Sequence, residues 1–132
     1  MDRLNRWAPL ALGILRIVAA LLFIEHGGQK LFGFPPGENP PVGFAGGLMT
    51  AAGVLEFFGG ILILLGLFTR PTAFILSGFM AVAYWMAHAP QNPFPVNSGG
   101  DAAILYCFVF LYLVFAGPGA LSLDDTMMGR RR

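Results

Sequence analysis

The chain has 132 residues, of which 56% are hydrophobic and 11% charged, with a net charge of +1. Average soluble domains carry about 25% charged residues, and a fold this small cannot hide so much apolar surface. A soluble globular domain is therefore excluded, no nucleic-acid partner is expected, and the lone Cys107 rules out an internal disulfide or a CxxC thiol-redox centre.

Crossing the hydrocarbon core takes roughly 20 apolar residues in a helix. The composition leaves room for four crossings, short loops and no separate soluble domain, so residues 1–132 are expected to form a single membrane domain. Arg3 and Arg6 precede the first apolar stretch, as they would in a signal peptide. However, Arg16 interrupts the run, no A-x-A site follows, and three more apolar segments come later, so the first segment is expected to stay as a helix.

That first span covers about residues 8–32 and ends in Glu25, His26, Gln29 and Lys30. Pro35, Pro36, Pro40 and Pro41 then forbid helix continuation. The second span covers about residues 44–68, with Glu56 near its middle. Thr69, Arg70 and Pro71 make a tight turn, and Pro71 suits a first helical position. The third span covers about residues 71–88, and Pro90, Pro93 and Pro95 break the chain after it. The fourth covers about residues 101–116 and ends at Gly117, Pro118 and Gly119. The expected fold is an all-α, integral membrane four-helix bundle.

Cationic residues set the orientation. Arg3, Arg6, Arg70 and Arg130 to Arg132 fall on one side of the four spans, and Lys30 falls on the other. Both termini are thus expected in the cytoplasm of a bacterial-type inner membrane, with Trp7 at that interface. Gly46, Gly47 and Gly66 recur at the offset of Gly99, Gly100 and Gly119, a faint echo of a two-helix duplication.

Two polar groupings carry the chemistry. A charge at membrane depth costs ~2.5–3.5 kcal/mol on insertion scales, so such residues face the interior and pair. Arg16 is flanked one turn away by Gly13, Ala19 and Ala20, and Glu56 by Ala52, Gly53, Gly59 and Gly60. Small residues let helices approach. An intramembrane ion pair between Arg16 and Glu56, locking the first two spans, is therefore expected. The second grouping is His26 and Lys30 at the end of the first span, His88 at the end of the third, and Asp101 and Tyr106 opening the fourth. At its blandest this is a set of interfacial polar residues. It also suits the head group of an amphipathic ligand such as a quinone, walled by Phe23, Phe32, Tyr84 and Trp85. Haem held by His26 and His88 fits less well, because a two-haem bundle needs four histidines. No spacing of metal ligands is present.

The string Leu15-Arg16-Ile17 through His26-Gly27-Gly28-Gln29-Lys30-Leu31-Phe32-Gly33 resembles the first helix of the DoxX family. Glu56-Phe57-Phe58-Gly59-Gly60 and Leu65-Gly66-Leu67-Phe68-Thr69-Arg70 resemble its second helix and turn. His88, Phe94, Gly99-Gly100-Asp101 and Leu105-Tyr106 resemble its third-to-fourth connection, and Gly117-Pro118-Gly119 with Leu121-Ser122-Leu123-Asp124 its tail. The chain departs from the family in reading Asn97-Ser98-Gly99-Gly100-Asp101 where members often read Asn-Gly-Gly-Glu, and in its long proline-rich first loop.

The resemblance implies a four-helix membrane fold and an association with redox assemblies, since relatives include a small subunit of a thiosulfate:quinone oxidoreductase. Fold analogy does not establish chemistry. Three functions remain open: a quinone-interacting or non-catalytic subunit of an oxidoreductase assembly, a membrane adaptor or assembly factor, and a small proton or solute path through Glu56 and Arg16. A homo-oligomer or a complex with a partner membrane subunit is expected in each.

Overall fold

The computed structural model describes residues 2–127, and every described element of regular structure is helical. Arg130 to Arg132, on which the cytoplasmic placement of the C-terminus partly rests, lie outside the described residues. In chain order the elements are α1 (Asp2–Asn5), α2 (Ala8–Phe32), α3 (Leu48–Leu65), α4 (Thr69–Ala83) continued by a π-helical turn (Tyr84–His88), α5 (Pro95–Ser98), α6 (Asp101–Ala116) and α7 (Leu123–Met127). Two compact units result. One holds the chain up to Phe68 and again from Pro118, and the other is Thr69–Gly117.

In the first unit, α2 and α3 pack as a pair. Both are long and apolar enough to cross a membrane, at 25 and 18 residues. At 1.5 Å per residue, α2 spans ~37 Å and α3 ~27 Å, close to the ~30 Å hydrocarbon thickness. Pro9 sits in the first turn of α2, where its missing N–H costs nothing. Gly33 ends the helix at φ 75°, a conformation that glycine adopts without penalty. The buried face of α2 carries Gly13, Arg16, Ala20, Phe23, Gly27 and Leu31, spaced three and four apart. Ile14, Leu15, Val18, Leu21 and Leu22 turn outward and remain exposed, as the solvent-facing surface of a water-soluble helix would not.

Glycines set how α2 and α3 meet. A Cβ at Gly27 would lie 2.5 Å from the Phe57 nitrogen and 2.8 Å from the Gly53 oxygen. At Gly60 it would lie 2.6 Å from the Ile24 side chain. The backbones therefore touch, and only glycine permits the approach. This contact fixes the register: Gly27 stands opposite Gly53 and Phe57, and Ile24 opposite Gly60. The second helix begins at Leu48, four residues later than the sequence suggested. Thr50 accounts for the delay, because its Oγ1 donates to the Gly43 carbonyl and accepts from the Gly46 N–H, each at 2.8 Å. These bonds hold residues 43–47 in a loop.

Beyond Gly117 the chain returns to the α2–α3 pair as non-helical backbone. The Ala120 N–H donates to the Pro9 carbonyl at 2.9 Å. A Cβ on Gly13 would strike the Ala120 carbonyl, so the segment lies directly on α2. Irregular backbone at membrane depth requires internal partners for its carbonyls. Arg16 supplies them. Its guanidinium donates to the carbonyls of Pro118, Ala120 (3.2 Å), Leu121 (2.8 Å) and Leu64 (3.4 Å). Leu64 lies in the last turn of α3, whose carbonyls have no helical partner. Asp124 completes the closure: its N–H donates to the Gly66 carbonyl, and its Oδ1 accepts from the Phe68 N–H, both at 2.8 Å.

The second unit is built on α4 and α6. Ser77, buried in the middle of α4, donates to the Cys107 carbonyl on α6 at 2.8 Å. Arg70 donates to the carbonyls of Val114 and Phe115, both at 2.9 Å. A cation thus caps the C-terminal turn of α6, where the helix dipole favours it. α6 is apolar all round, with Leu105, Phe108, Tyr112 and Phe115 exposed.

Two outcomes follow for stability in detergent. Arg16→Lys keeps the charge but removes the fork that reaches four carbonyls. It is expected to cost roughly 2–4 kcal/mol, given ~1.5–3 kcal/mol per hydrogen bond made by a charged group. Segment 118–122 should then become cleavable by a broad-specificity protease, and unchanged melting with an intact tail would refute the clamp. Gly27→Ala is expected to cost ~1–3 kcal/mol by overpacking. Gly78→Ala, where a Cβ meets nothing within 4 Å, should be neutral or stabilising by up to ~1 kcal/mol. Thermal melting of the two variants side by side checks the contrast.

Candidate functional site

The ion pair expected between Arg16 and Glu56 does not form. Arg16 is wholly buried among carbonyls, and Glu56 instead accepts from Lys30, with Nζ 2.8 Å from Oε1. The register explains the change. Arg16 stands beside Leu64, whereas Glu56 lies opposite the Gly27 turn, about ten residues further along α2. That is ~15 Å at the helical rise, beyond an arginine's reach. The small residues around both charges serve helix approach, and around Arg16 they admit the returning tail.

The Lys30–Glu56 pair joins the last turn of α2 to the middle of α3. Gly53 makes room for it, since a Cβ there would lie 3.1 Å from the Lys30 Cβ. The Glu56 side chain is 7% exposed and that of Lys30 23%. One end of the pair is therefore dry and the other open. An ammonium group has three donors, and one is spent on Glu56. His26, one turn back from Lys30 on the same face of α2, is exposed and close enough to Glu56 to act on it electrostatically. The helix end carries two further ties, because the Lys30 carbonyl accepts from the N–H groups of Val42 (2.8 Å) and Gly43 (3.1 Å).

Phenylalanines stand close in sequence and space. Phe32 meets Phe57 edge-on at 5.2 Å between ring centroids and Phe44 at 6.0 Å, and Phe57 meets Phe58 at 5.2 Å. Edge-to-face pairs at these separations are the favoured aromatic geometry. Phe32, Phe44 and Phe58 remain largely exposed, so their outer surfaces are available to a ring. Of the residues expected to wall a ligand, Phe32 belongs to this cluster, while Phe23 is 1% exposed and belongs to the core.

The other three expected ligand-binding residues, His88, Asp101 and Tyr106, lie in the second unit. His88 closes the π-helical turn, in which the Ala89 N–H donates to the Tyr84 carbonyl at 2.9 Å. Its Nδ1 lies 3.2 Å from the Ser98 carbonyl. Its ring stacks on Tyr84 with centroids 6.4 Å apart and planes 26° from parallel, and Tyr84 in turn meets Trp85 edge-on at 5.4 Å. Gly100 packs beneath, where a Cβ would lie 2.7 Å from the Tyr84 ring and 2.9 Å from the His88 Cβ. Asp101 is exposed in the first turn of α6, where negative charge is favoured. Tyr106 is half-buried and stacks on Phe110, one turn along the same helix, at 5.9 Å.

Sequence reasoning did not pair Lys30 with Glu56 or find the Ser98 carbonyl behind His88. Spacing held a usable signal for the first. Gly27, Gly53 and Gly60, aligned as one contact, place Glu56 near the C-terminal turns of α2 rather than near Arg16. No such signal marks Ser98, whose backbone is placed by the conformation of the loop. Among the described residues, no group of three or more His, Cys, Asp or Glu side chains gathers to hold a metal ion.

Residues 11–89 match the model of the DoxX family. An uncharacterized protein of Haemophilus influenzae is 46% identical over 131 residues, covering 95% of this chain and 96% of its own. Inner membrane protein YphA of Escherichia coli is 36% identical, covering 88% of this chain and 89% of its own. Inner membrane protein YqjF of the same bacterium is 32% identical, with coverage of 84% and 87%. No solved structure matches. With a family match over more than half its length and close relatives along almost all of it, the chain belongs to the DoxX family of bacterial membrane proteins.

Proposed function

We propose that this chain crosses the bacterial inner membrane four times, with both termini in the cytoplasm, and serves as a non-catalytic, quinone-interacting subunit of a membrane redox assembly. The inner-membrane names of two relatives support the location. The clustering of Arg3, Arg6 and Arg70 in segments on one side, against Lys30 on the other, supports the orientation. The assembly partner is another membrane subunit or a second copy of the chain, in contact with lipid.

One observation carries the functional reading: the half-open Lys30–Glu56 pair, two residues along each helix from the exposed rings of Phe32 and Phe58. Lys30 keeps donors for an acceptor oxygen, and the phenylalanines offer aromatic surface to a ring. A membrane-borne molecule with a flat ring and carbonyl oxygens satisfies both, and a quinone has that chemistry. Glu56 neutralises Lys30, so the ligand need bring no charge into lipid. His26, one turn away, supplies a second polar side chain at the same helix end.

The test is retention of native quinone. Protein taken up directly into lipid nanodiscs should yield quinone on solvent extraction. The Lys30→Met, Glu56→Leu double variant removes both charges together and so avoids a stranded buried ion. It should fold yet bind quinone about tenfold more weakly, in line with ~1.5–3 kcal/mol for a hydrogen bond from a charged donor. Equal retention by both proteins, or none by the native one alongside a stoichiometric partner protein, would overturn the reading in favour of a membrane adaptor. A single Glu56→Ala change, by contrast, leaves Lys30 without its partner at membrane depth. It should destabilise the protein by about 3–5 kcal/mol, whereas Glu38→Ala in the exposed first loop should leave thermal melting unchanged.

A further inference from the structure

We infer that His88 is a hydrogen-bond acceptor for the hydroxyl group of a phenolic ligand, so that the Thr69–Gly117 unit recognises the reduced, hydroquinone form of the ring lipid; this rests on the quinone reading above and extends it to a second set of residues. The argument begins with the Ser98 carbonyl. A carbonyl oxygen only accepts, so the 3.2 Å contact to His88 Nδ1 requires the proton to sit on Nδ1. In the neutral ring the other nitrogen, Nε2, then carries a lone pair and no hydrogen. Backbone-held imidazoles of this kind present a fixed acceptor, the same device that orients histidines toward metals and substrates.

Two features hold the ring in this orientation. Tyr84 lies roughly parallel to it, and the π-helical turn, with Gly100 packed against the His88 Cβ, fixes the backbone from which it projects. Turns of this type are frequent at functional sites, and here the turn that ends the helix carries the one histidine of the unit. In the same π-helical turn, Trp85 is 70% exposed, and its ring meets Tyr84 edge-on. An accepting nitrogen and an exposed indole on one turn match a phenol: the hydroxyl would donate to Nε2 and the aromatic ring would lie against Trp85. An oxidised quinone has no hydroxyl to donate and fits the Lys30 ammonium instead.

The tautomer and the ligand preference can be read separately. Nitrogen-15 NMR of histidine-labelled protein in lipid nanodiscs is expected to show His88 Nε2 unprotonated and Nδ1 protonated. Adding a short-chain hydroquinone should shift the Nε2 resonance, whereas its dimethyl ether, which keeps the ring and loses the donors, should not. In a Trp7→Phe background, which leaves Trp85 as the single indole, quenching of fluorescence by the hydroquinone should weaken about tenfold on His88→Phe. A protonated Nε2, or an equal response to the diether, overturns the inference whether or not the variant folds. Its outcome is distinct from that of the quinone reading, because extraction of native quinone and the Lys30 and Glu56 substitutions report on the other unit. Quinone retained there with no hydroquinone response at His88 would sink this inference alone.

Discussion

In a hydrocarbon environment no water is available to satisfy a polar group, so each one must find its partner inside the protein. For this chain the demand is concentrated on α2. That helix presents a guanidinium near one end and an ammonium near the other, about 14 residues or ~21 Å apart. Each finds a different kind of partner. Arg16 spreads its donors over backbone carbonyls, and Lys30 meets one carboxylate. The choice follows from shape. A planar fork with donors on several edges can serve a folded-back strand of carbonyls, while a point-like ammonium pairs with one anion and retains free donors.

That division explains why the tail of the chain is built as it is. Gly117, Pro118 and Gly119 cannot continue α6 as a helix, and the carbonyls of Pro118, Ala120 and Leu121 find their donor in Arg16 instead. Gly13 is the reciprocal condition on α2, since any side chain at that position would meet the Ala120 carbonyl. The arginine, the glycine one turn before it and the glycine-rich tail form one device, although more than 100 residues separate its ends. An ion pair between Arg16 and Glu56 would have consumed the fork and left the tail without partners.

Much of this was readable in advance, and the failures have a common cause. The helical and membranous character follows from composition, and the stops from Gly33, Gly66, Gly117 and the prolines, because those signals are local. The burial of Arg16 and Glu56 was also legible, since charges among small residues at membrane depth have few other options. Their partners were not. Flanking small residues mark a face for helix contact but not its register, and the glycine contact at Gly27, Gly53 and Gly60 sets Glu56 opposite Gly27 rather than Arg16. A carbonyl in an irregular segment is invisible to pattern reading altogether, which is why neither the Arg16 clamp nor the Ser98 partner of His88 could be found from residue types. The late start of α3 belongs to the same class, because Thr50 bonds to backbone groups of the loop before it.

The two kinds of satisfaction also separate structure from function along α2. Arg16 is sealed, wholly buried among backbone atoms, with no route for an outside molecule to compete for its donors. Lys30 is in the opposite situation: its partner is dry and its own side chain is part open. A charged ligand arriving there would disturb a neutral pair in a medium of low dielectric, where unbalanced charge is costly. A neutral ligand with an acceptor oxygen would disturb nothing and would use a donor otherwise idle. At the Lys30 end of α2 a neutral acceptor is therefore the partner that costs least, and at the Arg16 end the polar contacts are confined to holding the fold together.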